Sequence, residues 1–313
     1  MNRFLIVLGL AGTSLAAATI RELTVPTPDG PRRALLALPR GPARPGRPLV
    51  LLFHGHMGSA RNTLGQGLGP ASPLAAWVTV ADREGVVVVA LDGARGADGQ
   101  QGWNDGRPGL SGNPTTDDVA FTAAVIARVE REQATDPARI FAMGMSNGAV
   151  FTFRLALELP HPLAGLAAAC GSMPGERTPA APRRPVPVLL LAGTRDPLMP
   201  YEGGQVRFRD TRRGAVLGVP ATLAYWRAAF GLADAPREEP LPHAGKDATR
   251  AVRLTWGEAG PVALVRIEGG GHCEPSREHR LGWLYTRMCG PQNHDLEAAE
   301  EAWRFFRGRR AVQ

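Results

Sequence analysis

A serine stands between two glycines in Gly144-Met145-Ser146-Asn147-Gly148. It lies where an apolar run, Arg139 to Met143, gives way to an apolar segment of helical spacing, residues 147–159. Gly-x-Ser-x-Gly between a strand and a helix is a nucleophile elbow. The turn is so tight that side chains two positions either side of the serine would collide, and the hydroxyl is held exposed. The helix that follows directs unpaired N–H groups toward any negative charge developing at that point. A serine hydroxyl is a weak nucleophile at neutral pH, so it needs a base, usually a histidine oriented by a carboxylate.

In such a framework the partners follow in the order serine, acid, histidine, each after a later strand. Thr194-Arg195-Asp196-Pro197 follows the apolar run Val186 to Gly193, and Gly271-His272 follows Val262 to Gly270. Asp196 and His272 are therefore the candidate acid and base. Asp92, Asp105, Asp117 and Asp118 precede the serine, the last two read as helix caps, and Asp210 and Asp234 sit away from strand ends. His54 and His56 come too early, and His161, His243, His279 and His294 lie in loop, polar or helix-edge sequence. The first oxyanion donor should be the Asn147 N–H. The second should come from His54-Gly55-His56-Met57-Gly58, with the His56 N–H favoured over that of Met57. No ligand spacing points to a metal, and no cofactor motif is present.

These residues need a scaffold. Leu49 to Gly55, Val86 to Gly93, Arg139 to Met143, Leu163 to Cys170, Val186 to Gly193 and Val262 to Gly270 are short, nearly continuous apolar runs, as expected of strands buried on both faces. Helical patterns separate them at Pro73 to Arg83, Asp117 to Arg131, Asn147 to Leu159, Pro220 to Phe230 and Asp295 to Phe306. The alternation predicts an α/β fold: a mainly parallel, doubly wound sheet with helices on both faces and a site beyond the strands' carboxyl ends. IRELTV and RRALLALP predict an antiparallel pair at one edge.

With 313 residues, 44% of them hydrophobic, and no dividing linker, residues 19–313 are expected to form one domain. Residues 1–18 have the form of a secretory signal peptide: Arg3, an apolar run too short to span a bilayer, and Ala16-Ala17-Ala18 at the end. The expected destination is secreted or periplasmic, with no stable membrane association after cleavage. The net charge of +7 comes mostly from scattered arginines, without the basic, aromatic-interleaved patch of a nucleic-acid binder. The densest cluster, Arg207 to Arg213, reads as a solvated charge run. In an exported chain with three cysteines, Cys273 and Cys289, sixteen positions apart, are expected to pair and Cys170 to remain free.

The pieces LLFHGHMGSA, DDVAFTAAVIARV, DPARIFAMGMSNGAV, LAGTRDPLMPYEGG and EGGGH, spread from Leu51 to His272, resemble secreted α/β-hydrolase esterases of the polyhydroxybutyrate depolymerase and feruloyl esterase type. The resemblance implies an α/β-hydrolase fold with Ser146 as nucleophile, Asp196 as orienting acid and His272 as base. Members of the family often carry a GHxWPG-like sequence at the base, where this chain has His272-Cys273-Glu274-Pro275-Ser276. That departure bears on acyl or alcohol preference and leaves the three residues in place. Trp103, within Gln101 to Asp105, is a candidate substrate contact that could stack on an acyl group or simply anchor its loop. Tyr201 is a second candidate contact and an anchor of the acid loop.

Together these features predict a cofactor-free serine esterase acting on a small ester or oligoester. Short soluble esters should be favoured over crystalline polymer, since no separate binding domain is evident. A serine peptidase of the same fold, or a hydrolase fold that has lost catalysis and serves as a binding module, are the rival readings.

Overall fold

The computed structural model describes residues 18–68, 71–107, 112–175, 178–208, 211–243 and 246–312. The expected signal peptide lies outside them, apart from Ala18. Six of the apolar runs pair side by side as parallel strands: β3 (Arg47–Phe53), β4 (Val87–Leu91), β7 (Thr135–Met145), β8 (Gly165–Ala169), β9 (Val188–Gly193) and β14 (Val262–Glu268). Antiparallel strands extend this core at both edges. β1 (Thr19–Val25) and β2 (Arg32–Leu38) join next to β4, and β12 (Arg237–Pro240) and β13 (Arg250–Trp256) join next to β14. The order is β1-β2-β4-β3-β7-β8-β9-β14-β13-β12. The two-strand edge at β12–β13 was not anticipated, because β12 is exposed and polar along its whole length and carries no apolar alternation.

Both faces of the sheet are covered, which is why the middles of its central strands are nearly continuously apolar. Within β3, Leu49, Leu51 and Phe53 point into one apolar cluster, with Phe151 and Trp226, while Val50 and Leu52 point into the other, with Trp77 and Phe306. α3 (Asp118–Gln133), α4 (Asn147–Glu158) and α5 (Val219–Ala229) contribute buried residues to the first cluster. α1 (Ala60–Thr63), α2 (Trp77–Glu84) and α7 (Ala298–Phe306) contribute to the second. Asp117 caps α3, its carboxylate accepting from the Ala120 N–H at 2.9 Å. Asp118, expected to share that role, is instead fully buried and paired with Arg32.

Five smaller elements lie outside this sheet. β5 (Ala94–Arg95) and β6 (Gln101–Gly102) form a short hairpin after β4, and β10 (Gly203–Phe208) and β11 (Thr211–Leu217) form a second after the acid loop. α6 (Trp283–Cys289) follows the histidine loop. Among the described residues no helix is long and apolar enough to cross a membrane.

Candidate active site

Ser146 occupies the turn between β7 and α4 with φ 54° and ψ −120°, a backbone conformation that costs a non-glycine residue about 1–3 kcal/mol. The flanking glycines allow the turn to close. A Cβ on Gly144 would lie 2.2 Å from the Gly148 carbonyl oxygen, and one on Gly148 would lie 2.3 Å from that of Phe53. The strain is held by what surrounds it: the Ser146 N–H donates to Ala169 O at 2.9 Å, and α4 runs on from the turn into the apolar core.

The loops after β9 and β14 bring Asp196 and His272 to this serine. The Ser146 hydroxyl lies 2.8 Å from His272 Nε2, and His272 Nδ1 lies 2.7 Å from Asp196 Oδ2. The other carboxylate oxygen accepts from the Leu198 and Met199 N–H groups, both at 2.8 Å, so the carboxyl cannot rotate without losing three bonds. Burial pulls the His272 pKa down, but the charge and hydrogen bond of Asp196 outweigh it, so the imidazole is more basic than an ordinary histidine.

Beside the serine, Met57 is excluded as an oxyanion donor because its N–H is already given to Gln101 O at 2.8 Å. The His56 and Asn147 N–H groups have no acceptor among the described residues. His54, whose carbonyl accepts from Trp103 Nε1 at 2.9 Å, is a buried structural histidine: Nδ1 donates to Gly55 O and Nε2 accepts from the Gly93 N–H.

Other expectations are corrected. Trp103 has no exposed surface; its ring stacks on Phe151 with centroids 5.2 Å apart and meets Phe53 edge-on, so it anchors its loop and offers no face to a substrate. Tyr201 packs its side chain against the apolar core, and its carbonyl accepts from the Val219 N–H at 2.7 Å, holding the acid loop to α5. Cys273 and Cys289 are not bonded, and all three thiols are free and buried. The two segments do meet, but through the backbone: the His272 N–H donates to Cys289 O at 2.6 Å and the Gly271 N–H to Pro291 O at 2.8 Å. The Cys273 thiol is turned to Gly290 O at 3.4 Å. Cys170 directly follows β8, with its sulfur within 4.8 Å of ligand atoms of Asp196 and His272. A cation there would have to compete with the hydrogen bonds that join those two residues to each other and to Ser146.

Within the Arg207 to Arg213 segment, Arg207, Thr211 and Arg212 are exposed as expected, and Arg213 departs from that reading. Arg213 lies on β11, and its side chain, only 15% exposed, reaches His56 Nε2 at 3.0 Å and Asp98 at 3.1 Å. Sequence reasoning weighed Asp105 only as a candidate acid and missed its buried ion pair with Arg107 in the same region. Their close spacing, Asp-x-Arg, is too common to have signalled a role.

No family model matches the chain. NocK of Nocardia uniformis subsp. tsuyamanensis, an esterase by name, is 32% identical over 309 residues, covering 94% of this chain and 83% of its own. Feruloyl esterase B of Piromyces equi is 27% identical over 82% of the chain, which spans 45% of that longer protein. Among solved structures, the acetyl xylan esterase from Aspergillus awamori superposes with a TM-score of 0.53 at 13% identity, covering 86% of this chain and 98% of that one. That structure shares the fold of a large, mostly parallel sheet with helices on both sides. The chain belongs to the family of α/β-hydrolase esterases.

Proposed function

We propose that the chain is an exported serine esterase that works through an acyl-enzyme. The reading is carried by one observation: His272 lies in hydrogen-bonding reach of Ser146 on one side and of Asp196 on the other. Ser146 Oγ attacks the ester carbonyl as its proton passes to His272 Nε2, and Asp196 stabilises the imidazolium. The Asn147 and His56 N–H groups receive the oxyanion. His272 then gives the proton to the departing alcohol, takes another from water, and the hydroxide so formed releases the acid and restores Ser146.

The substrate class is small soluble esters or oligoesters with an apolar or aromatic acyl group, feruloyl esters and hydroxybutyrate oligomers among them. The name of feruloyl esterase B motivates the first, and exposed apolar side chains on the two elements next to the site support an apolar acyl group. Met57 on the oxyanion loop is more than half exposed, as are Trp283 and Leu284 on α6, whose last residue accepts the His272 N–H. A panel of matched esters and amides tests the reading. Ester turnover that vanishes in Ser146→Ala supports it; preferential amide cleavage would make the chain a peptidase, and neither activity would leave a binding module.

A further inference from the structure

Two networks, the first buried and the second partly exposed, meet beneath the two candidate oxyanion donors, and neither touches Ser146, His272 or Asp196. The first holds Asn147. Its side-chain oxygen accepts from the Trp103 N–H at 2.7 Å, and its Nδ2 donates to Trp103 O at 3.1 Å and to Asp105 Oδ2 at 2.7 Å. Asp105 has no exposed surface, and its charge is met by Arg107, which bonds the same oxygen through Nε at 3.0 Å and NH2 at 2.5 Å. The second network holds His56. Arg107 NH1 donates to Arg213 O at 2.8 Å, and Arg213 in turn meets His56 Nε2 and Asp98, while His56 Nε2 lies 2.9 Å from Asp98 Oδ2. Gly102 lies between the two side chains: a Cβ there would come within 3.1 Å of both Asn147 Oδ1 and His56 Nδ1.

We propose that Asp105 is a positioning residue for the oxyanion hole: with Arg107 and Trp103 it clamps the Asn147 side chain, and through Arg107 and Arg213 it is linked to His56, so that the two backbone N–H groups are held at a fixed separation and angle. The inference rests on the esterase reading above. A buried ion pair is weak evidence for stability, because desolvation offsets most of its attraction. Its value here lies in geometry. Backbone donors stabilise an oxyanion only if they already point at it, and a displacement of about 1 Å can cost on the order of a hundredfold in rate. Arg107 also keeps the Asp105 charge from opposing the charge that develops on the substrate.

The test uses Asp105→Asn and Asn147→Ala, the second of which removes a side chain but leaves the backbone N–H and every buried charge in place. The full chain is assayed for kcat, KM and inhibition by a boronic acid, whose tetrahedral adduct with a serine places an oxygen in the hole. The expected result is a fall in kcat of about 10- to 100-fold, a KM within about twofold of the parent, and a rise in the boronate inhibition constant that parallels the loss in kcat/KM. Native kcat in folded variants, or a raised KM at unchanged kcat, would overturn the proposal. Should Asp105→Asn fail to fold, Asn147→Ala decides alone. Inactivation of the parent by a fluorophosphonate is measured alongside: its absence sinks the serine mechanism, whereas normal inactivation with unaffected variants sinks only the bracing role.

Discussion

In the proposed mechanism Asp196 sets the pH at which His272 can serve as a base. The imidazole must be neutral to take the Ser146 proton, and its pKa is raised above 6.5 because the carboxylate outweighs the effect of burial. kcat/KM should therefore climb with pH through a midpoint above 6.5. In Asp196→Asn burial is opposed only by the nearby Glu274 charge, so the midpoint should move down, with kcat reduced by several orders of magnitude, about the 10⁴-fold loss typical of a triad left in the wrong tautomer. A pH–rate profile of both proteins checks this, and an unmoved midpoint would contradict the assignment of the acid. These three residues were legible because each follows its own apolar run, and topology fixes their order. The brace of Asp105 and Arg107 was not, because it depends on which loops meet in space. Neither was the true role of Trp103: a tryptophan in a loop reads the same whether its ring faces a ligand or Phe151.

Elements whose residues are buried on both sides were readable from continuous apolar sequence, and so were helices with a clear stripe and cap such as α3. The parts that escaped notice have surfaces of mixed character. β10–β11 is a strand pair written largely in arginine, glycine and threonine, and β12 reads Arg-Glu-Glu-Pro. α6 belongs to the same class: seven residues of which only Cys289 is buried. If its exposed Trp283 and Leu284 form the apolar wall of the acyl site, Trp283→Ala should raise KM for esters of long or aromatic acids several-fold and leave acetate esters nearly untouched. One methylene in an apolar site is worth only about 1–3 kcal/mol, so a graded dependence on chain length is expected. Equal effects on acetyl and long-chain substrates would show that α6 acts on fold integrity and not on the acyl group.

For the molecule as a whole, stability below neutral pH carries a histidine contribution separate from the reaction. His54 is buried at the end of β3, and burial is the chief cause of a pKa lowered from 6.5 to about 4. The unfolded chain binds a proton there first, so stability is lost as pH falls from 6.5 toward 4, by an amount on the order of 3 kcal/mol. Denaturant midpoints at pH 7 and pH 4.5 should thus fall less in His54→Gln, whose amide has no proton to gain, than in the parent; equal falls would contradict the account. The central claim, that this fold is organised around one nucleophilic hydroxyl, is tested most directly by labelling. The parent is treated with a fluorophosphonate, the adduct is located by peptide mass, and ester turnover is measured in parallel with Ser146→Ala. The predicted result is a single adduct on Ser146 and a loss of several orders of magnitude in turnover by a fully folded variant; an adduct elsewhere, or near-native hydrolysis without the hydroxyl, would contradict it.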